Sequence, residues 1–192
     1  GLVDSHFYDD DHTISGSYSF GRSVSRRSGD FDGDGTEDLL ITNVSDVFIL
    51  SGDRLTDADI DITHPHMIQL TADYHVFAEF LGDIDGDGHD DIGVLGNGRL
   101  YIIEGAVLSI TPPGSSEIED VTDYAFMHVD ADSAYRHSIT GVPDIDGDSN
   151  PEVLVGNGED CEAHLILSSS IYPSTFATVD GLSDYRFYGE CS

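Results

Sequence analysis

The sequence has no lysine. Its seven cationic side chains are all arginine, set against 38 aspartates and glutamates, a formal net charge of −31 over 192 residues. A chain so poor in positive charge cannot neutralise phosphates, which excludes nucleic acid as a partner. No apolar run approaches the roughly 20 residues that a membrane helix requires, which excludes insertion by such a helix. No stretch carries a sustained helical period. The two cysteines, Cys161 and Cys191, do not form the C-x-x-C spacing of a zinc ribbon or a redox motif. There is no H-E-x-x-H, no G-x-S-x-G elbow and no phosphate-cradling glycine loop. Carboxylate pairs of the glycosidase kind cannot be singled out among 38 acids. No catalytic constellation is therefore assignable. The opening Gly-Leu-Val-Asp-Ser-His has neither an initiator Met nor the character of a signal peptide, so it reads as a processed product or a piece of a longer chain.

What is present is a core and an acidic device used three times. Hydrophobic residues make up 39% of the chain, enough to bury an interior. In Gly29–Ile41, Asp30, Asp32, Asp34 and Asp38 stand at positions 1, 3, 5 and 9 of a loop that runs directly into an apolar strand. Carboxylates this close repel one another unless a cation lies between them. A hard divalent ion takes oxygen ligands, and Ca²⁺ accepts more of them, less regularly arranged, than Mg²⁺. Asp83, Asp85, Asp87 and Asp91 repeat the pattern, and Asp144, Asp146, Asp148 and Glu152 repeat it again. The main-chain carbonyl at position 7 (Thr36, His89, Asn150) is the natural further ligand. Glycines allow the curl that brings alternate side chains together. The three first-position aspartates are 83 − 30 = 53 and 144 − 83 = 61 residues apart, a period that points to an array of supersecondary units. Three sites predict three bound Ca²⁺. An EF-hand would need flanking helices and a Glu at position 12, where this chain has Ile41, Val94 and Val155.

Around each loop the sequence reads as short strands with polar turns. Strands are expected at 12–16, 17–24, 38–42, 47–50, 67–70, 75–80, 91–95, 99–103, 126–129, 135–142, 152–155, 163–167, 176–179 and 185–191, with polar connections at 53–66 and 109–120. Gly96-Asn97-Gly98 and Gly156-Asn157-Gly158 mark hairpins. Each repeat becomes strand, acidic loop, strand, hairpin, strand, connection, strand. That is a four-stranded antiparallel sheet, the blade of a β-propeller. The expected fold is all-β, a propeller-like array of three blades, incomplete or open. It forms one domain with repeats at about 12–66, 67–125 and 126–175 and a partial fourth at 176–192.

These loops resemble the FG-GAP repeat family, whose repeats build the propeller of integrin α-subunits and recur in secreted microbial proteins. The family pattern is an aromatic-Gly strand, a D-x-D-x-D-G-x-x-D loop and a short apolar strand ending in Gly-Ala-Pro. Phe20-Gly21 matches the opening in the first repeat, Phe77-Ala78 stands there in the second, and the third has no equivalent. Thr42-Asn43-Val44, Leu95-Gly96-Asn97 and Val155-Gly156-Asn157 replace Gly-Ala-Pro. The third loop carries Ser149 in place of the position-6 Gly and Glu152 in place of the position-9 Asp, so its affinity is expected to be lowest. The resemblance implies a calcium-binding propeller module outside the cell or at its surface.

The functional expectation is a structural or adhesion module that assembles with other copies or with further repeats, as a filament or surface array. The alternatives are the propeller module of a secreted polysaccharide-acting enzyme and a glycan-binding module with Tyr and Arg as contacts. Glycans or extracellular matrix are the candidate external partners. Strong acidity fits a salty or calcium-rich medium, and equally a generically acidic secreted protein. An oxidising compartment favours one disulfide between Cys161 and Cys191; two reduced buried thiols are the alternative. Asn43-Val44-Ser45 is a possible glycosylation sequon. His64 and His66 flank Pro65 without a third ligand nearby and read as structural, as do the other histidines.

Overall fold

The computed structural model describes residues 14–16, 19–56, 60–61, 63–72, 76–96, 98–122, 124–127, 137–171 and 178–190, and the statements below concern these. Parts of several expected strands, Asn97 of the second hairpin and Cys191 lie outside them. In chain order the strands are β1 (Ile14–Ser15), β2 (Ser23–Val24), β3 (Leu39–Thr42), β4 (Asp46–Leu50), β5 (Ile60–Asp61), β6 (Ile68–Thr71), β7 (Phe77–Gly82), β8 (Asp91–Gly96), β9 (Arg99–Ile103), β10 (Gly114–Glu117), β11 (Tyr124–Met127), β12 (His137–Val142), β13 (Glu152–Asn157), β14 (Glu162–Ile166) and β15 (Tyr185–Tyr188). Short helices α1 (Gly105–Ile110), α2 (Ile118–Val121), α3 (Ser168–Ile171) and α4 (Val179–Leu182) interrupt them, and Gly52–Thr56 is a 3₁₀ turn.

Among the described residues a two-stranded parallel pair, β1 with β5, stands beside three larger sheets, and each of these contains a four-stranded antiparallel meander in sequence order. The first runs β2-β3-β4-β6, the second β7-β8-β9-β11 and the third β12-β13-β14-β15. In every case an acidic loop joins the first strand to the second. The hairpin turns are built by asparagine. Asn43 Oδ1 accepts the N–H groups of Ser45 (2.8 Å) and Asp46 (2.7 Å). Asn157 does the same for Glu159 (3.1 Å) and Asp160 (3.3 Å).

The sheets stack face to face, and period-2 alternation assigns each side chain to one interface. From the middle sheet, Ile92, Val94, Tyr101 and Ile103 meet Leu40, Val47, Ile49 and Leu70 of the first. Leu95, Leu100 and Ile102 point the other way and meet Ile139, Val153, Val155 and Ile166 of the third. Both faces of the middle sheet are therefore buried, which is why β8 and β9 read as nearly continuous apolar runs. The outer face of the first sheet packs Phe48, Leu50 and Met67 against Ile14 and Phe20, with the Phe20 and Phe48 rings 5.1 Å apart. On the outer face of the third sheet Leu165 is buried, but no hydrophobic cluster of described residues forms there. There Tyr185 and Phe187 are 57% and 54% exposed. The first strands of the three sheets are tied to one another. Arg26 and Arg27 both donate their N–H groups to Glu79 Oε1 on β7, at 2.9 Å each. The Arg27 guanidinium donates to the Gly141 carbonyl on β12 at 2.6 Å.

The structure departs from the sequence expectations in identifiable places. Ser19–Gly21 is a turn, not part of a strand, because the Arg22 N–H bonds back to the Ser19 carbonyl at 3.1 Å with Ser19 and Gly21 at positive φ. The 109–120 connection holds the end of α1, all of β10 and most of α2. β10 pairs in parallel with β6, so the first sheet is five-stranded and mixed rather than a plain four-stranded blade. Of the strand expected at 176–179, residues 176–177 lie outside the described residues and Val179 opens α4, which Thr178 caps by accepting the Gly181 N–H at 3.0 Å. Tyr185–Tyr188, read as opening a fourth repeat, pairs with β14 as the outer strand of the third sheet. Cys161 is disulfide-bonded, and the sequence holds one other cysteine. Asn43, the residue of the possible sequon, is 4% exposed, and its Nδ2 donates to Asp46 Oδ2 at 2.8 Å within the turn.

Candidate metal centres

The three acidic loops share one hydrogen-bond scheme. The first-position aspartate is wrapped by N–H groups further along its own loop. Asp30 accepts from Asp34 (3.0 Å) and Gly35 (2.8 Å). Asp83 accepts from Gly86 (2.7 Å), Asp87 (2.9 Å) and Gly88 (2.9 Å). Asp144 accepts from Gly147 (2.6 Å) and Ser149 (3.0 Å). The position-3 carboxylates Asp32, Asp85 and Asp146 each take the N–H at position 5. The position-5 carboxylates Asp34, Asp87 and Asp148 take the N–H of Thr36 (2.6 Å), His89 (2.9 Å) and Asn150 (2.8 Å), which sets the position-7 backbone beside them.

Position 9 anchors each loop to the sheet. Asp38 accepts the Phe31 N–H on Oδ2 and the Gly52 N–H on Oδ1, both at 2.8 Å. Asp91 accepts Ile84 (2.9 Å) and Gly105 (2.8 Å) in the same way. Glu152, one methylene longer, places both oxygens 3.1 Å from the single Ile145 N–H. Each anchor carboxylate is buried, at 1%, 0% and 0% exposed. In the first two loops the second N–H partner begins the segment after the hairpin, so one carboxylate joins the loop, the second strand and the end of the third. Gly105 is required at that point, because a Cβ would lie 2.5 Å from the Asp90 carbonyl oxygen.

Ligand atoms of Asp30, Asp32 and Asp38 lie within 4.8 Å of one another, as do those of Asp83, Asp85 and Asp91, and those of Asp144, Asp146, Asp148 and Glu152. Asp34 and Asp87 stand outside these tight groups. Burial pushes the Asp38 carboxyl up to about 7 despite hydrogen bonds from Gly52 and Phe31, with Asp32 and Asp30 adding to the rise. Burial likewise pushes Asp91 up to about 8 against the bonds from Gly105 and Ile84, with Asp85 and Asp83 adding to it. Among the described residues no arginine forms an ion pair with any of these acids. Closely set, partly buried carboxylates without a protein cation are a donor set that fits a hard divalent ion.

The loops also touch one another, which the sequence did not reveal. Asp30 and Asp90, at position 8 of the second loop, exchange two bonds: Asp90 N–H to the Asp30 carbonyl at 2.9 Å, and Asp30 N–H to Asp90 Oδ2 at 3.0 Å. His89 Nδ1–H donates to the Phe31 carbonyl at 3.0 Å. At position 4, a Cβ on Gly33 would lie 3.0 Å from the His89 ring, and one on Gly86 would lie 3.1 Å from Asn150 Oδ1. The position-7 side chain of each loop thus covers the position-4 glycine of the loop before it. A Cβ on Gly147, the position-4 glycine of the third loop, would meet nothing within 4 Å among the described residues.

His64 and His66 face each other with ring centroids 5.6 Å apart and belong to no ligand group among the described residues. A further group, Glu162, His164 and Asp180, went unseen in the sequence. Its only local sign is the Glu-x-His spacing on a strand; Asp180 joins it through the fold.

No protein-family model matches the chain, and no curated protein sequence is similar to it. Solved structures do resemble it. A crystal structure of BBS1N in complex with ARL6DN, soaked with lead, matches with 13% identity and a TM-score of 0.44, over 81% of this chain and 42% of that one. Apo AztD from Citrobacter koseri matches with 8% identity and a TM-score of 0.43, over 79% of this chain and 34% of that one. The chain spans less than half the length of either.

Proposed function

We propose that this chain is a calcium-held structural module: three blades of a β-propeller of the FG-GAP kind, working outside the cell and extended by further blades from other copies or from a longer chain. The observation that carries the reading is the three-fold recurrence of one buried-carboxylate loop, each tied to its blade through the position-9 anchor. Calcium at each loop would neutralise Asp30, Asp32 and Asp38, then Asp83, Asp85 and Asp91, then Asp144, Asp146, Asp148 and Glu152. The position-7 carbonyls of Thr36, His89 and Asn150 complete the oxygen set. The ion's role is to couple loop geometry to blade stability, because it binds the folded loop and not the unfolded chain.

Extension is supported at one end of the stack. The third sheet presents Tyr185 and Phe187 half-exposed on its outer face, and among the described residues Gly147 offers the same seat that His89 and Asn150 fill on the earlier loops. A fourth loop of the same design would place its position-7 side chain there. Head-to-tail addition of unlike ends gives a ring if the rotation closes and a filament if it does not. Light scattering on the full mature protein in millimolar Ca²⁺ tests this. Assembly, or a longer parent chain carrying more such loops, is the expected result, and a stable monodisperse three-blade monomer would overturn it.

A further inference from the structure

Beyond the acidic loops, we propose that Glu162, His164 and Asp180 form a fourth metal site of a different chemical class, one that takes a borderline divalent ion such as Zn²⁺. Glu162 and His164 are two residues apart on β14 and so share one face of the third sheet. Asp180 reaches the same point from α4. His164 is 2% exposed. Its Nε2 stands 3.5 Å from Glu162 Oε2 and 3.7 Å from Asp180 Oδ1, and the three ligand atoms all lie within 4.8 Å of one another. These separations are long for hydrogen bonds. They are close to the edge of a tetrahedron about an ion with bonds of about 2.0–2.2 Å, which is roughly 3.4 Å.

The hydrogen bond at the other ring nitrogen decides where the imidazole proton sits. Ser183 Oγ lies 2.7 Å from His164 Nδ1, and the same hydroxyl donates its one hydrogen to the Val179 carbonyl at 3.0 Å. With that hydrogen on Val179, Ser183 accepts from the histidine and Nδ1 carries the proton, which is the tautomer the proposal requires. In that tautomer of the neutral ring Nε2 is a lone pair facing the Glu162 and Asp180 carboxylates. A histidine ligand whose far nitrogen is fixed by a hydrogen bond is the usual preparation for metal binding.

Arg186, the register partner of His164 on β15, does not fill the place. Its Nη2 lies 3.2 Å from Asp180 Oδ1, on the flank of the group. Glu162, Asp180 and the neighbouring Asp160 against Arg186 leave 3 − 1 = 2 negative charges around the ring. Imidazole with two carboxylates suits zinc-like ions, whereas Ca²⁺ asks for six to eight oxygens. The site would pin α4 to β14 beside the Cys161 disulfide and hold the outer edge of the third sheet.

The test uses the full chain in millimolar Ca²⁺, so that the acidic loops are filled, and titrates ZnCl₂ by calorimetry with Co²⁺ absorption as a second readout. One tight equivalent is expected, absent in His164→Gln. Ser183→Ala, which frees the tautomer without touching a ligand, should weaken it by roughly 10–100-fold. Histidine ¹⁵N shifts should report an Nδ1-protonated ring without zinc and a shift at Nε2 when zinc is added. Zinc binding unchanged in His164→Gln, or lost instead in a His64→Gln/His66→Gln variant, overturns the proposal. If His164→Gln fails to fold, Asp180→Asn and the wild-type ¹⁵N shifts decide it. An Nε2-protonated ring, or one indifferent to zinc, refutes it.

Discussion

Replacing Asp91 by asparagine changes one atom and separates the two roles assigned to the position-9 carboxylate. Both Asp91 oxygens accept a buried N–H, from Ile84 and Gly105. An asparagine has one accepting oxygen, and its amide nitrogen would confront the other donor. Stranding a buried N–H costs about 1–3 kcal/mol. Losing the charge returns part of this in metal-free protein, because burial already disfavours the ionised form. With calcium present the variant also forfeits a ligand. An ion at a hundred times its dissociation constant contributes about 2.7 kcal/mol to stability, so the full loss is about 4–6 kcal/mol. For a chain of this size about 1 kcal/mol moves Tm by roughly 2–4 °C. Thermal melts should therefore show Asp91→Asn lower than wild type by roughly 10–20 °C in saturating Ca²⁺, and by only a few degrees in EDTA. Equal losses in the two buffers would refute the ligand role, and no loss in either would refute the anchor.

Other consequences are open to measurement. Ser149 holds φ at 84°, where Gly35 and Gly88 hold 85° and 93°. Ser149→Gly should thus relieve about 1–2 kcal/mol of left-handed strain and tighten the third calcium site in a calorimetric titration, while Gly88→Ser weakens the second. A Cβ at Gly141 would run into the Leu81 carbonyl of the middle sheet, so Gly141→Ala should part the second and third sheets; urea unfolding that stays wild-type would contradict that packing. Reducing the Cys161 disulfide should cost about 3 kcal/mol, read as a fall in Tm with dithiothreitol. Glu79→Gln keeps an acceptor for the Arg26 and Arg27 N–H groups and should be mild. Glu79→Ala strands both and should cost about 2 kcal/mol or more in denaturant titration.

Local chemistry made much of this protein legible from its sequence. A D-x-D-x-D-G run can only curl, and the apolar residues after it have no alternative to a strand, so β3, β8 and β13 fall where they were expected. The Asn-based hairpins follow for the same reason. What escaped depends on residues far apart in the chain. Gly114–Glu117 has no apolar alternation, and it becomes a strand because the edge of β6 offers its N–H and carbonyl groups. α1 starts at Gly105 because Asp91, fourteen residues earlier, accepts its N–H. The aromatic-Gly opening at Phe20-Gly21 suggested a strand, yet Phe20 turns aside to cover Phe48. His89 needed only its carbonyl for the calcium reading, and its ring proves to be the contact between loops. Glu162, His164 and Asp180 form a cluster only once α4 lies across β14.

The most direct measurement is the calcium stoichiometry of the full chain. Protein stripped with chelator, then titrated by calorimetry and checked by equilibrium dialysis, should bind three Ca²⁺, the third site weakest, and lose one for each of Asp30→Ala, Asp83→Ala and Asp144→Ala. Binding of no calcium, or binding that survives all three substitutions together, would contradict the account.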